Sequence, residues 1–408
     1  MNRWFTDERD WFQTARYGLF LHWGIYAVGA WHEQHQHRRR LSRPEYEPFM
    51  HQFNPVDFDP DRWLDIAEAA GMRYLVFTTK HIDGFCMWDS ALTDYKVTRT
   101  PYGRDTLAML AEACHRRQFP LCLYYSFVDH HHPNYPNEGR AHELAGPQPG
   151  DQPDLDRYLD YVRGQIRELC TNYGKIHGIW WDALRFTKDD PSLNAMIHEL
   201  QPAAVINNRG LDPGDFVVYE RDYSKEIHAI PTFANATEAC QAIGQQSWGY
   251  RENEHYYTVK YLIQSIDRML AKGANYLLNV GPDARGRIAP NEEAMLRRIG
   301  DWYRRVGESF AAEPVPGLTD NPHVLTTRRG RTVYAHLHEV IGDGLVLHPL
   351  RQMPERAILL NDGRELRPRV DHLPSHHREA EPCLHIPGLP VDEMPGEVMV
   401  VRLDFPAG

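Results

Sequence analysis

Leu121-Cys-Leu-Tyr-Tyr-Ser126 and Gly178-Ile-Trp-Trp-Asp182 are short, almost unbroken apolar and aromatic runs, and a long amphipathic segment, Asp154–Tyr173, separates them. In that segment Leu155, Leu159, Tyr161, Val162, Ile166, Leu169 and Cys170 repeat at helical spacing. A strand, a crossover helix and a second strand buried on both faces make a parallel βαβ unit. The same alternation extends in both directions. Candidate strands are Tyr17–Trp23, Tyr74–Lys80, Ala204–Asn208, Asp215–Glu220, a weak one near Gln246–Tyr250, and Tyr276–Val280. Candidate helices are Asp61–Ala70, Asp105–Arg117, Thr258–Lys272 and Asn291–Phe310. Asp61 and Asp105 stand where an N-cap oxygen is needed, and Gly71 and Gly174 where helices stop. About eight strands within about 310 residues predict an α/β fold, a closed (β/α)8 TIM-like barrel over residues 1–314. No G-x-G-x-x-G or P-loop follows a strand, which argues against a nucleotide-binding open sheet.

The pattern changes after Pro314-Val-Pro-Gly317. Short runs at Arg331–Leu337, Gly344–His348, Arg356–Leu360 and Glu397–Asp404 are separated by turn residues such as Asn361-Asp-Gly363. They predict a small antiparallel β-sandwich over 318–408.

The 408 residues carry a net charge of −11, which argues against nucleic acid as a partner. No apolar run is long enough for a membrane span, and the first ten residues lack a charged-then-apolar leader, so a cytoplasmic protein is expected. The six cysteines form no Cys-x-x-Cys pair and read as buried free thiols.

In such barrels the chemistry lies at the C-terminal ends of the strands. Here those ends read His22-Trp-Gly24, Lys80-His-Ile-Asp-Gly84, Tyr124-Tyr-Ser126, Trp180-Trp-Asp182, Asn207-Asn-Arg209, Glu220, Trp248-Gly-Tyr250 and Asn279-Val-Gly281. Aromatic planes beside hydrogen-bonding groups suit a small carbohydrate. Asp182 ends a very apolar run, as a nucleophile or an electrostatic stabiliser of an oxocarbenium-like centre would. The second carboxylate has three candidates, Glu238, Glu220 and Glu33. The histidines at 32, 35, 37 and 130–132 lack the helical pairing of a zinc site and read as polar loops lining the mouth, so neither a metal nor a cofactor is expected. A metal-dependent hydrolase and a non-catalytic sugar-binding protein on the same scaffold are the alternatives.

These residues resemble the α-L-fucosidases of glycoside hydrolase family 29. The resemblance rests on Phe20-Leu-His-Trp-Gly-Ile-Tyr-Ala-Val28, Thr78-Thr-Lys-His-Ile-Asp-Gly-Phe-Cys-Met-Trp88, Ile179-Trp-Trp-Asp182, Asn207-Asn-Arg209, Glu238 followed by Ser247-Trp-Gly-Tyr250, and Leu277-Leu-Asn-Val-Gly-Pro282. It spans Trp11 to about Pro314. It implies a retaining exo-glycosidase acting on α-L-fucosides or a closely related sugar. Asp182 would be the nucleophile and Glu238 the acid/base, with Glu220 as runner-up. His22, Glu33, His81, Tyr125, Trp180, Arg209 and Trp248 would bind the sugar, and Tyr250 would share the aromatic wall with Trp248. Two positions depart from the family pattern. Its paired histidines read His81-Ile82 here, and its E-W-Y reads Glu33-Gln34-His35. Either the preferred sugar shifts, or loop residues such as His37 or His131 compensate.

Overall fold

The computed structural model describes residues 3–221, 229–339, 342–348, 350–373 and 381–407. Eight parallel strands form the first sheet: β1 (Tyr17–Leu21), β2 (Leu75–Lys80), β3 (Leu121–Ser126), β4 (Gly178–Asp182), β5 (Val205–Ile206), β6 (Val217–Glu220), β7 (Thr237–Ala242) and β8 (Asn275–Val280). Their order is β5-β4-β3-β2-β1-β8-β7-β6. The sheet curls until β5 and β6 meet, and the seam between them is thin. A single bridge, Asn207 to Phe216, joins them. Asp215 takes over part of the missing ladder, its carboxylate accepting from the Ile206 amide at 2.8 Å.

Side-chain parity divides the barrel strands between two cores. Phe20, Tyr74, Val76, Cys122, Tyr124, Trp180, Cys240 and Leu277 pack inside the barrel. Leu19, Leu21, Leu75, Phe77, Leu123, Tyr125, Ile179 and Trp181 face outward, against the helices. Those helices begin where side-chain oxygens cap them. Asp105 and Asp154 accept from the amides of Ala108 and Arg157. For the helix Pro60–Ala69 the cap is Asp59 and not Asp61, because Pro60 suits the first helical position and moves the start back. Gly71 and Gly174 follow their helices with φ of +87° and +69°, a conformation only glycine adopts cheaply.

The weak strand expected near Gln246–Tyr250 is a loop. The seventh strand is β7, a run of six fully buried residues whose composition, Thr-Glu-Ala-Cys-Gln-Ala, hides it from a hydrophobicity reading.

Beyond the barrel, strands β9 (Glu313–Pro314), β10 (Val324–Arg329), β11 (Thr332–Leu337), β12 (Gly344–Leu347), β13 (Arg356–Leu359), β14 (Arg369–Asp371), β15 (Cys383–Pro387) and β16 (Met399–Asp404) form two antiparallel sheets, β13-β16-β11-β10-β9 and β12-β15-β14. Leu337, Leu345, Leu347, Leu384, Ile386, Val401 and Leu403 fill the space between them. The opposite face of the larger sheet packs on the barrel, and Tyr334, Val398 and Val400 join the barrel core. Trp302 donates to the Val398 carbonyl at 3.0 Å across this junction. Asp267 accepts from His336 at 2.8 Å, and its other oxygen lies 2.9 Å from His338 Nε2.

Candidate active site

A cavity of about 420 Å³ opens at the C-terminal end of the barrel, the size of a small-ligand pocket. Its floor is an aromatic stack. The His81 ring lies 5.6 Å from Tyr124 at 12°, and Tyr124 lies 5.5 Å from Trp180 at 19°. Trp248, 5.3 Å from the His22 ring, forms a side wall.

Asp182 is the last residue of β4 and shares inward parity with Trp180. The Tyr124 hydroxyl donates to its Oδ2 and Arg209 Nη1 to its Oδ1, both at 2.8 Å. Burial alone would raise its pKa. The Arg209 charge and the Tyr124 hydrogen bond outweigh burial and hold the carboxyl below its ordinary value, so it is ionised at neutral pH. Arg209 Nη2 also donates to Glu220 Oε2 at 2.7 Å. One guanidinium therefore bridges two carboxylates at the same rim, and Glu220 lines the cavity.

Glu238 does not reach this cavity. It is the second residue of β7, on the same face as Cys240, which does line the cavity, but two residues or roughly 7 Å nearer the closed end of the barrel. Its carboxyl accepts from the Tyr74 hydroxyl at 2.5 Å and from Trp180 Nε1 at 2.9 Å. Burial pushes it up to about 7. Glu238, expected as the acid/base, therefore lies outside the cavity, while the runner-up Glu220 lines it. The polar run of β7 does not read as a strand, so the sequence does not show how deep in the barrel Glu238 lies.

The expected sugar-binding residues His22, Glu33, His81, Trp180, Arg209 and Trp248 all line the cavity. Burial takes His22 down to about 4 and His81 to about 3, so both present neutral imidazoles. His22 Nδ1 is fixed by Asn279 at 2.7 Å, and the buried Nδ1 of His81 has no partner among the described residues. One oxygen of Glu33, Oε2, accepts from Ser247 Oγ and the Trp248 amide, each at 2.9 Å. Glu33 thus anchors the Trp248 loop at the cavity wall. Burial would raise this carboxyl, yet His32, His81 and His22 bring it down to about 2.

Tyr125 is absent from the cavity. It points outward and donates to Gln165 at 2.7 Å, and its neighbour Tyr124 takes the inward place. The all-apolar run of β3 gives no alternation from which to read that parity. Tyr250 does not line the cavity either; it packs against the outer core. Nor do His37 and His131 reach it. His37 donates to the Glu143 carbonyl at 2.8 Å, and His131 stacks on Tyr95 at 3.9 Å and pairs with Glu47. Ile82 and Gln34, the two departures, do line it, as does His142, which the sequence reading passed over. Among the described residues no group of three or more His, Cys, Asp or Glu is arranged to hold a metal ion.

The sequence model described as alpha-L-fucosidase matches residues 5–308. The chain belongs to the α-L-fucosidase family. Rat tissue alpha-L-fucosidase is 28% identical over 369 residues, covering 82% of this chain and 77% of its own. The structure of alpha-L-fucosidase isoenzyme 1 from Paenibacillus thiaminolyticus superposes with a TM-score of 0.86 at 34% identity, over 98% of this chain and 99% of that one. A family 29 fucosidase from Bacteroides thetaiotaomicron, solved as a trapped covalent intermediate with 2-fluoro-fucosyl fluoride, has a TM-score of 0.78 at 26% identity, over 100% and 98%. The likeness to the Paenibacillus structure takes in both the parallel barrel and the antiparallel strands that follow it.

Proposed function

We propose that the protein is a retaining exo-α-L-fucosidase. The observation that carries this reading is the Arg209-bridged pair, Asp182 and Glu220, at the mouth of a cavity sized for one sugar ring. Asp182 attacks the anomeric carbon and forms an ester to the sugar, while Glu220 gives its proton to the departing oxygen. Glu220 then takes a proton from water, whose oxygen attacks the same carbon and releases Asp182. Two inversions give net retention. Arg209 steadies both carboxylates, and the neutral His22 and His81, with Glu33, bind hydroxyls over the Tyr124–Trp180 stack. The partner is a small carbohydrate. The six free, buried thiols fit a cytoplasmic location.

Hydrolysis of an aryl α-L-fucoside by wild type, and its loss in a folded Asp182→Ala variant, tests this reading. Unchanged turnover in the variant would remove Asp182 as nucleophile. Ile82 and Gln34 at the cavity wall favour a second reading, a closely related sugar, which a panel of aryl glycosides separates from fucose.

A further inference from the structure

One guanidinium in the cavity wall, that of Arg185, pairs with no described carboxylate, although the chain as a whole carries a net charge of −11. Arg185, three residues past Asp182, lines the cavity. Its Nε donates to the Ala141 carbonyl at 2.8 Å and its Nη1 to the Leu184 carbonyl at 2.9 Å, which leaves Nη2 without a protein partner among the described residues. His142, beside that anchor, also lines the cavity. Its backbone is left-handed, with φ +68°, a costly state for a non-glycine residue. The loop is held there: the His142 carbonyl accepts from His130 Nε2 at 2.7 Å, and the Glu143 carbonyl accepts from His37 at 2.8 Å. The imidazole of His142 itself makes no hydrogen bond to a described residue. On the adjoining helix, His35–Arg39, Arg38 donates to the cavity-lining Gln34 at 3.2 Å. Arg39 lies 4.1 Å over the Trp31 ring, and Arg251 donates to the Trp31 carbonyl at 2.8 Å. None of Arg38, Arg39 and Arg251 pairs with a described carboxylate.

Resting on the fucosidase reading above, we infer that Arg185 and His142 bind an anionic group, a carboxylate or a sulfate, carried by the leaving-group sugar. Arg209 is not free for that task, since Asp182 and Glu220 both claim it. Those two carboxylates repel an incoming anion unless a separate cation offsets them. The open edge of Arg185 does so with charge-assisted hydrogen bonds, and His142 adds a second donor. Arg38, Arg39 and Arg251 supply a field that draws an acidic saccharide to the mouth.

The test compares kcat/KM on fucosyl disaccharides whose leaving sugar is galactose, galacturonate, or galactose sulfated at each hydroxyl in turn, with 4-nitrophenyl α-L-fucoside as the neutral reference. The anionic substrates should be favoured by about tenfold at low salt. The ratio should shrink toward one at ~500 mM NaCl and in Arg185→Gln, and should be partly kept in Arg185→Lys. A ratio of one or less, or one that Arg185→Gln does not move, overturns the inference while leaving the fucosidase reading intact. Failure to hydrolyse the nitrophenyl fucoside would instead remove the fucosidase reading. Calorimetry with galacturonate, galactose sulfates and galactose then decides the anion site alone, and equal affinities for the three overturn it.

Discussion

At the scale of single residues, the site separates three carboxylates by environment. Asp182 is paired with Arg209 and kept ionised, Glu220 stands at the rim, and Glu238 is sunk in the barrel. Glu220→Gln should therefore lower kcat/KM by about 10²–10⁴-fold for a fucoside with a sugar leaving group, and by far less for a dinitrophenyl fucoside, whose leaving group needs no proton. Steady-state kinetics on the two substrates check this. Glu238→Gln should not change that leaving-group dependence; its effect belongs to stability. Folding raises the Glu238 pKa to about 7, so the fold favours the neutral acid. The stability contributed by this carboxyl is then fully present below about pH 4.5 and falls as pH rises to about 7. Glu238→Gln should flatten that decline in denaturant melts recorded across this range, and an unchanged slope would contradict it. The cavity-lining places of His22, His81 and Asp182 were legible because each ends or directly follows a recognisable strand. Tyr124 was confused with Tyr125 because a strand buried on both faces conceals which side points inward.

At the scale of elements, the close fit of loops onto strand ends holds the cavity open. A Cβ at Gly281, just past β8, would lie 2.4 Å from the backbone of Gly249 and Tyr250, on the loop that carries Trp248. Gly281→Ala must push that loop away and should cut kcat/KM at least tenfold, mainly through KM, with the circular dichroism spectrum retained. Helix starts and stops were mostly visible in the sequence as Asp caps and following glycines. The strand β7 was not, since polar side chains occupy its buried positions: Gln241 Oε1 accepts from the Ala242 amide, and Glu238 accepts from Tyr74 and Trp180. Burial with satisfied hydrogen bonds leaves no hydrophobic mark in the sequence.

At the scale of the whole molecule, a buried polar cluster joins the barrel to the sandwich. Asp267, on the barrel helix Val259–Ala271, faces His336 and His338 on and beside β11, and all three are buried. Burial would raise the Asp267 pKa, but the two histidines hold the carboxyl well below its ordinary value. The stability it contributes is present above about pH 4 and drains away in acid. Asp267→Ala leaves His336 without its acceptor and removes the carboxylate beside His338, and should cost about 3–5 kcal/mol. Calorimetry should show a lower or split melting transition, and an unshifted single peak would contradict it. The two-part architecture was legible because periodicity and turn spacing change together near Pro314. The sandwich begins slightly earlier in the chain, since Glu313–Pro314 already pairs with β10. The thin seam between β5 and β6 had no counterpart in the sequence reading, because one bridge and one aspartate carboxylate close it.

The central claim is that Asp182 becomes covalently bonded to the sugar. Incubation with a 2-fluoro-fucosyl fluoride, followed by peptic digestion and mass spectrometry, tests it most directly. A fluorofucosyl adduct on the peptide carrying Gly178–Asp182, localised to Asp182, is the predicted result. An adduct on another residue, or turnover of the reagent with the peptide unmodified, would contradict it.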